Sequence, residues 1–368
     1  MSNQTAAPQI RDETMPDYER SLGFWDLFSI SVGVIVGSGV LVFTGRGIAQ
    51  TGRSICIAYL GAAVWVVCTA IPTFLMCSCI RLIGGGYTQC NLFLGEKWGG
   101  FYLAIYFLGQ MGLTLYAQTF ALYFCELMGG GNEKLVAGLM ITFFYLLNFF
   151  GVDFMSKAQN IMSATLLLAL IWFTIRGLPK VNWSTFFGGE GWMTGGIKGL
   201  FATSTLLTYS LMGATSLMPY SAQAKNPQRD IPLAGAISTF SIAILFALMG
   251  IVCSGILPLD QVANQTLGVI ANHFLTRPEY IFFMAGGALC AAATTLNGLI
   301  GSVPIPLVML SHDGWLPKKL GTLHPKHKTA YKYLFIYYLI TMAPLFLGID
   351  ISAVTDKTLL GSYVQTAI

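Results

Sequence analysis

The segment Gly33-Val34-Ile35-Val36-Gly37-Ser38-Gly39-Val40-Leu41 places three glycines and one serine in the middle of an otherwise apolar stretch. It predicts an interruption within a membrane-spanning helix. Backbone N–H and C=O groups that lose their helical partners cannot face lipid, so an interruption there must line a cavity. The alternative is that these glycines only let two helices pack closely, since small residues are common at contacts between membrane helices.

The composition around this segment is that of a membrane protein. Of 368 residues, 55% are hydrophobic and 10% are charged, whereas soluble domains carry about 25% charged residues. Apolar runs long enough to cross a bilayer as helices of about 20 residues recur along the chain, and about ten are recognisable. These runs are much longer than the strands of membrane barrels, about 10 residues each. We therefore predict an all-α integral membrane protein, a helical bundle of about ten spans.

The chain divides into a short polar tail, residues 1–22, and a transmembrane domain, residues 23–368. The tail lacks the apolar core of a cleavable signal peptide, and we expect it to be cytoplasmic. Within the domain the first six predicted spans lie approximately at 24–49, 54–80, 99–125, 135–152, 158–175 and 199–224. The seventh predicted span ends at about 257, and the eighth and ninth lie approximately at 280–310 and 333–347. A tenth apolar stretch begins after Lys357 and stops at Ile368, so we expect C-terminal helices to be missing from this chain.

The distribution of Lys and Arg favours a cytoplasmic N-terminus, because cytoplasmic loops carry an excess of these residues. With that orientation, the cytoplasmic side receives Arg11, Arg20, Arg81, Lys97, Lys157, Lys225, Arg229, Lys318, Lys319, Lys326, Lys328 and Lys332. The opposite side receives Arg46, Arg53, Lys134, Arg176, Lys180, Lys198 and Arg277. The densest basic block, 318–332, also contains His324 and His327, and we interpret it as a membrane-anchoring loop. The expected location is the cell membrane.

A second interruption, Tyr209-Ser210-Leu211-Met212-Gly213, lies in the sixth span. It follows the first by five spans, and an odd offset reverses the direction of the helix. Two discontinuous helices at corresponding positions of two inverted halves indicate a substrate site near the membrane midplane of a secondary transporter. The predicted halves are 23–178 and 195–368. Exposed N–H groups at a helix start attract an anionic group, whereas exposed carbonyls attract an ammonium group.

Several further motifs occur in the order found in one transporter family. They are Gly37-Ser38-Gly39-Val40, Gly84-Gly85-Gly86-Tyr87, Gly151-Val152 with Gln159-Asn160, Lys225-Asn226-Pro227-Gln228-Arg229-Asp230-Ile231-Pro232, and Asp313-Gly314-Trp315-Leu316-Pro317 with His324-Pro325. Over nearly its whole length the chain resembles the amino acid/polyamine/organocation (APC) superfamily of transporters. The resemblance implies a five-plus-five inverted repeat, usually followed by two further helices, with the first and sixth helices broken.

The resemblance also implies where the substrate binds. Backbone N–H groups of Ser38 and Gly39 would receive a carboxylate, and carbonyls near Ile35, Tyr209 and Met212 would receive the ammonium group. Tyr209 matches the position of an aromatic gate. The full set of expected substrate-binding residues is Ile35, Gly37, Ser38, Gly39, Tyr209, Ser210, Met212, Gly213 and Thr215. The residues expected to line the pocket or gate it are Gln110, Tyr116, Tyr209 and Asn297.

The chain departs from the family pattern at two ionisable positions. Thr215 replaces a glutamate and Leu166 replaces a lysine, which argues against proton coupling through those sites. Thr294 and Thr295 match positions at which related sodium-coupled transporters offer oxygen ligands, which suit hard cations. The alternative is that both hydroxyls bond back to their own helix. No cofactor is expected, and the coupling ion is left open between sodium and a proton.

The absence of charges between predicted span ends favours a neutral, zwitterionic amino acid as substrate, because an unpaired buried charge costs several kcal/mol. A cationic amino acid or polyamine carried by exchange is the alternative, as is a non-transporting amino acid sensor. The four histidines and eight scattered cysteines form no catalytic or zinc-binding pattern, so an enzyme is not expected. The expected partners are a small-molecule substrate and the lipid bilayer, not nucleic acid, with the oligomeric state open.

Overall fold

The computed structural model describes residues 20–79, 85–110, 112–187 and 191–347. Within these ranges the backbone is predominantly helical, as predicted, and its one β-type contact is a parallel bridge between Leu22 and Ala224. The α-helices are α1 (Phe24–Ile35), α2 (Ser38–Thr51), α3 (Ile55–Cys79), α4 (Gly86–Leu94), α5 (Glu96–Gln110), α6 (Leu113–Met128), α7 (Glu133–Phe149), α8 (Val152–Gly177), α9 (Trp183–Phe186), α10 (Gly196–Leu211), α11 (Pro227–Ile256), α12 (Leu259–Val262), α13 (Leu267–Phe274), α14 (Arg277–Phe282), α15 (Cys290–Ser302), α16 (Pro304–His312) and α17 (Tyr331–Leu347).

The α-helices are interrupted or joined by segments of other types. The helix that contains Gly33 ends at Ile35, and α2 resumes at Ser38. After α10 the chain continues as a nine-residue 3-10 helix, Ala214–Ala222. A π-helical stretch, Phe283–Leu289, joins α14 to α15. Runs of 3-10 helix longer than three or four residues are uncommon, and π-helical turns are rare, so both segments are marked departures from regular α-helix geometry.

The boundary between the fourth and fifth spans differs from the predicted one. Residues 150–152 were expected inside the fourth span, and a loop was expected up to residue 158. Instead α7 ends at Phe149 and α8 already begins at Val152. Gly151 makes this abrupt turn possible with a φ of 113°, which other residues rarely adopt. The polar residues that suggested a loop form the first turns of α8, where Asp153 faces solvent and complements the helix dipole.

The outer surface of the bundle is apolar. Trp65, Ile161 and Phe201 expose 66%, 69% and 70% of their surface, which a soluble protein rarely tolerates over a large area but which lipid accommodates. Four helical segments are long and apolar enough to cross a membrane among the described residues: Phe43–Cys77, Val152–Lys180, Pro227–Ile256 and Arg277–His312. The interruption after Ile35 leaves α1 with 12 residues, below that length. The number of crossings and the inverted repeat therefore remain predictions.

Two apolar clusters form the interior, and α1 contributes to both. Leu27 and Ile30 belong to a cluster with α6, α7 and α17, whereas Val32 and Ile35 belong to a cluster with α3, α8 and α11. Buried polar side chains collect near the junction, including Gln159 of α8 and Thr295 of α15. The first break therefore lies beside the polar residues that separate two apolar cores.

Several of the sequence motifs contact one another. The Tyr87 hydroxyl donates to Oδ2 of Asp313 at 2.7 Å, and burial together with the Asp313 carboxylate raises the pKa of this hydroxyl. Leu22 N–H donates to the Gln223 carbonyl at 3.0 Å, and Lys225 N–H donates to the Leu22 carbonyl at 2.8 Å. The segment that leads into α1 is thereby fastened to the segment that leaves the 3-10 helix.

Candidate functional site

The first break combines one helix end with the start of another. Val36 N–H still donates to the Val32 carbonyl at 2.8 Å, and Gly37 N–H turns back to the Ile35 carbonyl at 2.9 Å. Gly37 then precedes α2 in an extended conformation, and no side chain caps the new helix. The first N–H groups of a helix have no partners within it. The start of α2 therefore offers N–H groups and a positive dipole end to an anionic group.

The two breaks lie against each other. A β-carbon on Gly213 would lie 2.8 Å from the backbone nitrogen of Ile35, so only glycine allows this approach. A β-carbon on Gly39 would lie 3.5 Å from Oγ of Ser210. That Oγ is buried and has no hydrogen-bond partner among the described residues. Polar groups from α2 and α10 thus meet where both helices are interrupted.

Aromatic rings flank this junction. Tyr209 and Phe43 pack edge to face, with ring centroids 5.4 Å apart, and the Arg46 guanidinium lies 5.7 Å from the centroid of Phe43. Tyr209 is partly buried. Two aromatic side chains, one from α2 and one from α10, therefore lie together beside the first break.

The two threonines of α15 face the carbonyl of Gly33. Thr295 Oγ1 lies 2.8 Å from this carbonyl oxygen and Thr294 Oγ1 lies 3.2 Å from it. Each hydroxyl also reaches carbonyls of its own helix: Thr295 lies 2.9 Å from that of Ala291, and Thr294 lies 2.8 Å from that of Cys290 and 3.1 Å from that of Ala291. Each hydroxyl carries one proton, so it donates to only one of these acceptors at a time. Both sequence-based interpretations, a cation site and a bond back to the helix, are compatible with this geometry.

A chain of buried amides connects this region to α7. Asn148 Nδ2 donates to Asn297 Oδ1 at 3.0 Å, and Asn297 Nδ2 donates to Gln159 Oε1 at 2.7 Å. Nε2 of Gln159 has no partner among the described residues and lies beside Gly33. Asn297 was predicted from the sequence as a pocket residue, whereas Gln159 and Asn148 were not. Amide side chains inside apolar spans four and five were the signal that could have identified them.

The remaining predicted residues occupy different surroundings. Ser210 and Gly213 are buried at the junction, whereas Thr215 is exposed and Met212 is 48% exposed. Leu166 is fully buried in the apolar cluster of α8, so no ionisable group occupies that position. The side chains of Ser38 and Gln110 lie outside the described part of the structure.

The described interior carries almost no charge. Asp230 is the one buried residue among the described Asp, Glu, Lys and Arg, and it lies in the first turn of α11. A ligand at the breaks therefore meets backbone dipoles, hydroxyls, amides and aromatic rings.

Comparison with known proteins agrees with this architecture. Residues 22–366 match a family described as amino acid permease. The branched-chain amino acid permease BcaP of Bacillus subtilis is 24% identical over 359 residues, which cover 85% of this chain and 71% of that protein. Cationic amino acid transporter 4 of Homo sapiens is 25% identical over 395 residues, which cover 98% of this chain and 61% of that protein.

A solved structure is similar in fold. The nucleobase-cation-symport-1 family transporter Mhp1, in a closed conformation with bromovinylhydantoin bound, superposes with a TM-score of 0.62. The superposition covers 89% of this chain and 73% of that chain at 12% sequence identity. At such low identity the likeness concerns the fold alone: a membrane helical bundle found in a transporter.

Proposed function

This chain belongs to the amino acid permease family, and from that premise we propose that it carries a neutral, zwitterionic amino acid across the cell membrane by alternating access. It is a multi-pass membrane transporter rather than an enzyme, as its family and its fold indicate. The proposed orientation has the N-terminus in the cytoplasm, which the excess of Lys and Arg on that side supports. The observation that carries the proposal is the meeting of two broken helices at Gly39 and Ser210.

The carboxylate of the substrate binds at the start of α2. Backbone N–H groups of Ser38 and Gly39 are without helical partners there, and the dipole of α2 favours negative charge. Ser210 Oγ, which is buried and unpartnered beside Gly39, can donate one further hydrogen bond. Gly39 itself leaves room for the carboxylate to approach the backbone closely.

The ammonium group binds at carbonyl oxygens on the other side of the junction. The last carbonyls of α10, near Tyr209 and Met212, and those near Ile35 at the end of α1 belong to helix ends where acceptors outnumber donors. These ends carry the negative pole of the helix dipole. Together with the start of α2, they form a site with opposite polarity at its two sides, which matches the zwitterion.

A neutral side chain fits the uncharged interior best. A cationic side chain would require a buried carboxylate and an acidic one a buried Arg or Lys, since an unpaired charge there costs several kcal/mol. The relative named as a branched-chain amino acid permease agrees with this choice. The relative named as a cationic amino acid transporter favours the second candidate, exchange of a cationic amino acid, in which backbone carbonyls would stabilise the extra charge.

Coupling to sodium is the proposed driving force. Thr294, Thr295 and the Gly33 carbonyl bring three oxygen atoms together between α1 and α15, and oxygen ligands suit hard cations. Leu166 and Thr215 stand where the resemblance to the APC superfamily implies a lysine in some proton-coupled members and a glutamate in many members, which argues against proton coupling through those two sites.

Uptake into sealed proteoliposomes tests the proposal. We expect radiolabelled L-leucine to accumulate inside vesicles that contain the protein, and unlabelled neutral amino acids to compete better than arginine or glutamate. Gly39→Leu should abolish binding and uptake because its side chain blocks approach to the α2 N–H groups. Gly39→Ala is the matched control for folding, since its β-carbon would make ordinary contacts of 3.5 Å.

Each alternative gives a different result in the same assay. Binding without accumulation would identify a sensor. Competition in which arginine exceeds every neutral amino acid would identify the cationic exchanger. Unchanged leucine affinity in Gly39→Leu would show that the break is only a contact between helices.

A further inference from the structure

The 3-10 helix Ala214–Ala222 is attached to both ends of α1. It begins after Gly213, on which a β-carbon would lie 2.8 Å from the backbone nitrogen of Ile35, the last residue of α1. It ends shortly before Ala224, whose parallel bridge with Leu22 stands just before α1. The 3-10 helix and α1 therefore lie side by side between the breaks and the predicted cytoplasmic end of the bundle.

Tyr220 fastens this 3-10 helix to α15. Its side chain is 1% exposed, and its hydroxyl donates to the Gly298 carbonyl at 2.7 Å. A β-carbon on Gly301, one turn further along α15, would lie 2.7 Å from the same hydroxyl oxygen. The missing side chain of Gly301 therefore leaves the space that the hydroxyl occupies. On the side of α1, a β-carbon on Gly298 would lie 3.1 Å from Cγ2 of Val34.

The α15 side of this contact is held firmly by neighbouring helices. Nδ2 of Asn297 in α15 donates to Gln159 of α8 at 2.7 Å, and its Oδ1 accepts from Asn148 of α7 at 3.0 Å. The β-carbon at Gly301 would also lie 3.0 Å from Asn148 Oδ1, so the amide chain adjoins the Tyr220 hydroxyl. Three helices are thus tied together behind the acceptor of the Tyr220 hydrogen bond.

A tyrosine hydroxyl suits a contact that forms and breaks. Inside the closed bundle the hydroxyl of Tyr220 needs a partner, because a buried polar group without one is costly. When water enters, a water molecule can take the place of the Gly298 carbonyl, so the net contribution of the bond is small. The bond therefore favours the closed arrangement without locking it.

We propose that the hydrogen bond from Tyr220 to Gly298 is a latch that keeps the cytoplasmic side of the substrate site closed. The latch opens when the 3-10 helix moves away from α15, and it closes when the hydroxyl returns to the Gly298 carbonyl. The direction of opening rests on the proposed function and orientation, whereas the latch itself follows from the contacts of Tyr220. In this role Tyr220 positions the 3-10 helix and does not touch the substrate.

Tyr220→Phe tests the latch, because it keeps the buried ring and removes only the hydroxyl. Hydrogen–deuterium exchange of the purified protein in detergent, without substrate, gives the first readout. Loss of one hydrogen bond should raise the exchange rate of the backbone amides at 214–222 about fivefold. Tyr106→Phe is the matched control, since the Tyr106 hydroxyl donates to the Val303 carbonyl, just after α15, at 3.1 Å but belongs to α5.

Labelling of an introduced cysteine shows whether the space beside the latch opens. Met155 is 1% exposed in the first turn of α8, and its Cε would lie 2.9 Å from a β-carbon on Gly301. In a Met155→Cys background, a water-soluble maleimide should modify position 155 about fivefold faster when Tyr220→Phe is added. Adding Tyr106→Phe should leave this rate unchanged. Mass spectrometry distinguishes position 155 from the native cysteines.

The labelling rate decides the proposal. A lower unfolding temperature in Tyr220→Phe with an unchanged labelling rate at position 155 would mean that the hydroxyl only stabilises the packing, and it overturns the latch. Equal labelling rates with Tyr220→Phe and with Tyr106→Phe overturn it as well. Neither measurement needs a substrate, so a failure of leucine uptake affects the proposed function and not the latch.

Discussion

The side-chain amide of Gln159 fills the space beside Gly33, so closely that a β-carbon on Gly33 would lie 1.9 Å from its Nε2. Such a β-carbon would also lie 2.9 Å from Cβ of Thr294. Gln159 cannot simply withdraw, because its Oε1 accepts a hydrogen bond from Asn297 at 2.7 Å. The glycine in the middle of α1 is therefore required by contacts with α8 and α15.

Gly33→Ala should destabilise the protein by about 1–3 kcal/mol, the usual cost of forcing extra atoms into a packed interior. Thermal unfolding of the purified variant in detergent should begin at a lower temperature than that of the unsubstituted protein. Gly37→Ala is the control, since its β-carbon would meet no atom closer than Oγ1 of Thr295 at 3.4 Å. Equal unfolding temperatures for the two variants would contradict this account of Gly33.

Thr295→Val should abolish the effect of a sodium gradient on leucine uptake, because it replaces an oxygen that faces the Gly33 carbonyl with a methyl group of similar size. Initial rates with and without the gradient provide the measurement. Thr174→Val is a matched control, since the buried Thr174 hydroxyl bonds to the Leu170 carbonyl of its own helix at 2.9 Å. Uptake by Thr295→Val that keeps its sodium dependence would assign both α15 hydroxyls to helix packing alone.

Asn297→Leu should cost about 1–3 kcal/mol of stability, because it leaves the buried Oε1 of Gln159 without its donor. Adding Gln159→Leu should recover part of this loss, since both members of the pair are then apolar. Chemical or thermal unfolding of the single and double variants measures the coupling. Additive losses would mean that the amide pair does not act as a unit.

Tyr209→Ala should weaken leucine binding several-fold, because the ring expected to act as the aromatic gate, which packs edge to face on Phe43, would no longer cover the substrate. Tyr209→Phe keeps the ring and should change the affinity less. The dissociation rate of bound leucine, measured by dilution, should rise for the alanine variant. An unchanged rate together with a lower unfolding temperature would indicate that the ring only packs the bundle.

Much of the helical layout was predictable because its signals are local. Apolar runs reveal spans, and the glycines around Ser38 mark the place where α1 gives way to α2. The turn at Gly151 was placed incorrectly because polar residues such as Asp153 resemble a loop in sequence, although they lie on the solvent-facing first turn of α8. The short helix α4 carries no long apolar run, so hydropathy did not predict it.

The sequence by itself determined that this chain is a helical membrane protein with two interrupted helices and an interior almost free of charge, since composition and glycine placement act within a few residues of each position. Only the tertiary structure decided that Gly39 meets Ser210, that Gln159 fills the space at Gly33, and that Tyr220 bonds to Gly298. Gln159 and Asn297, for instance, are 138 residues apart. Such contacts depend on how whole helices pack, and packing is set by the shapes of many side chains at once.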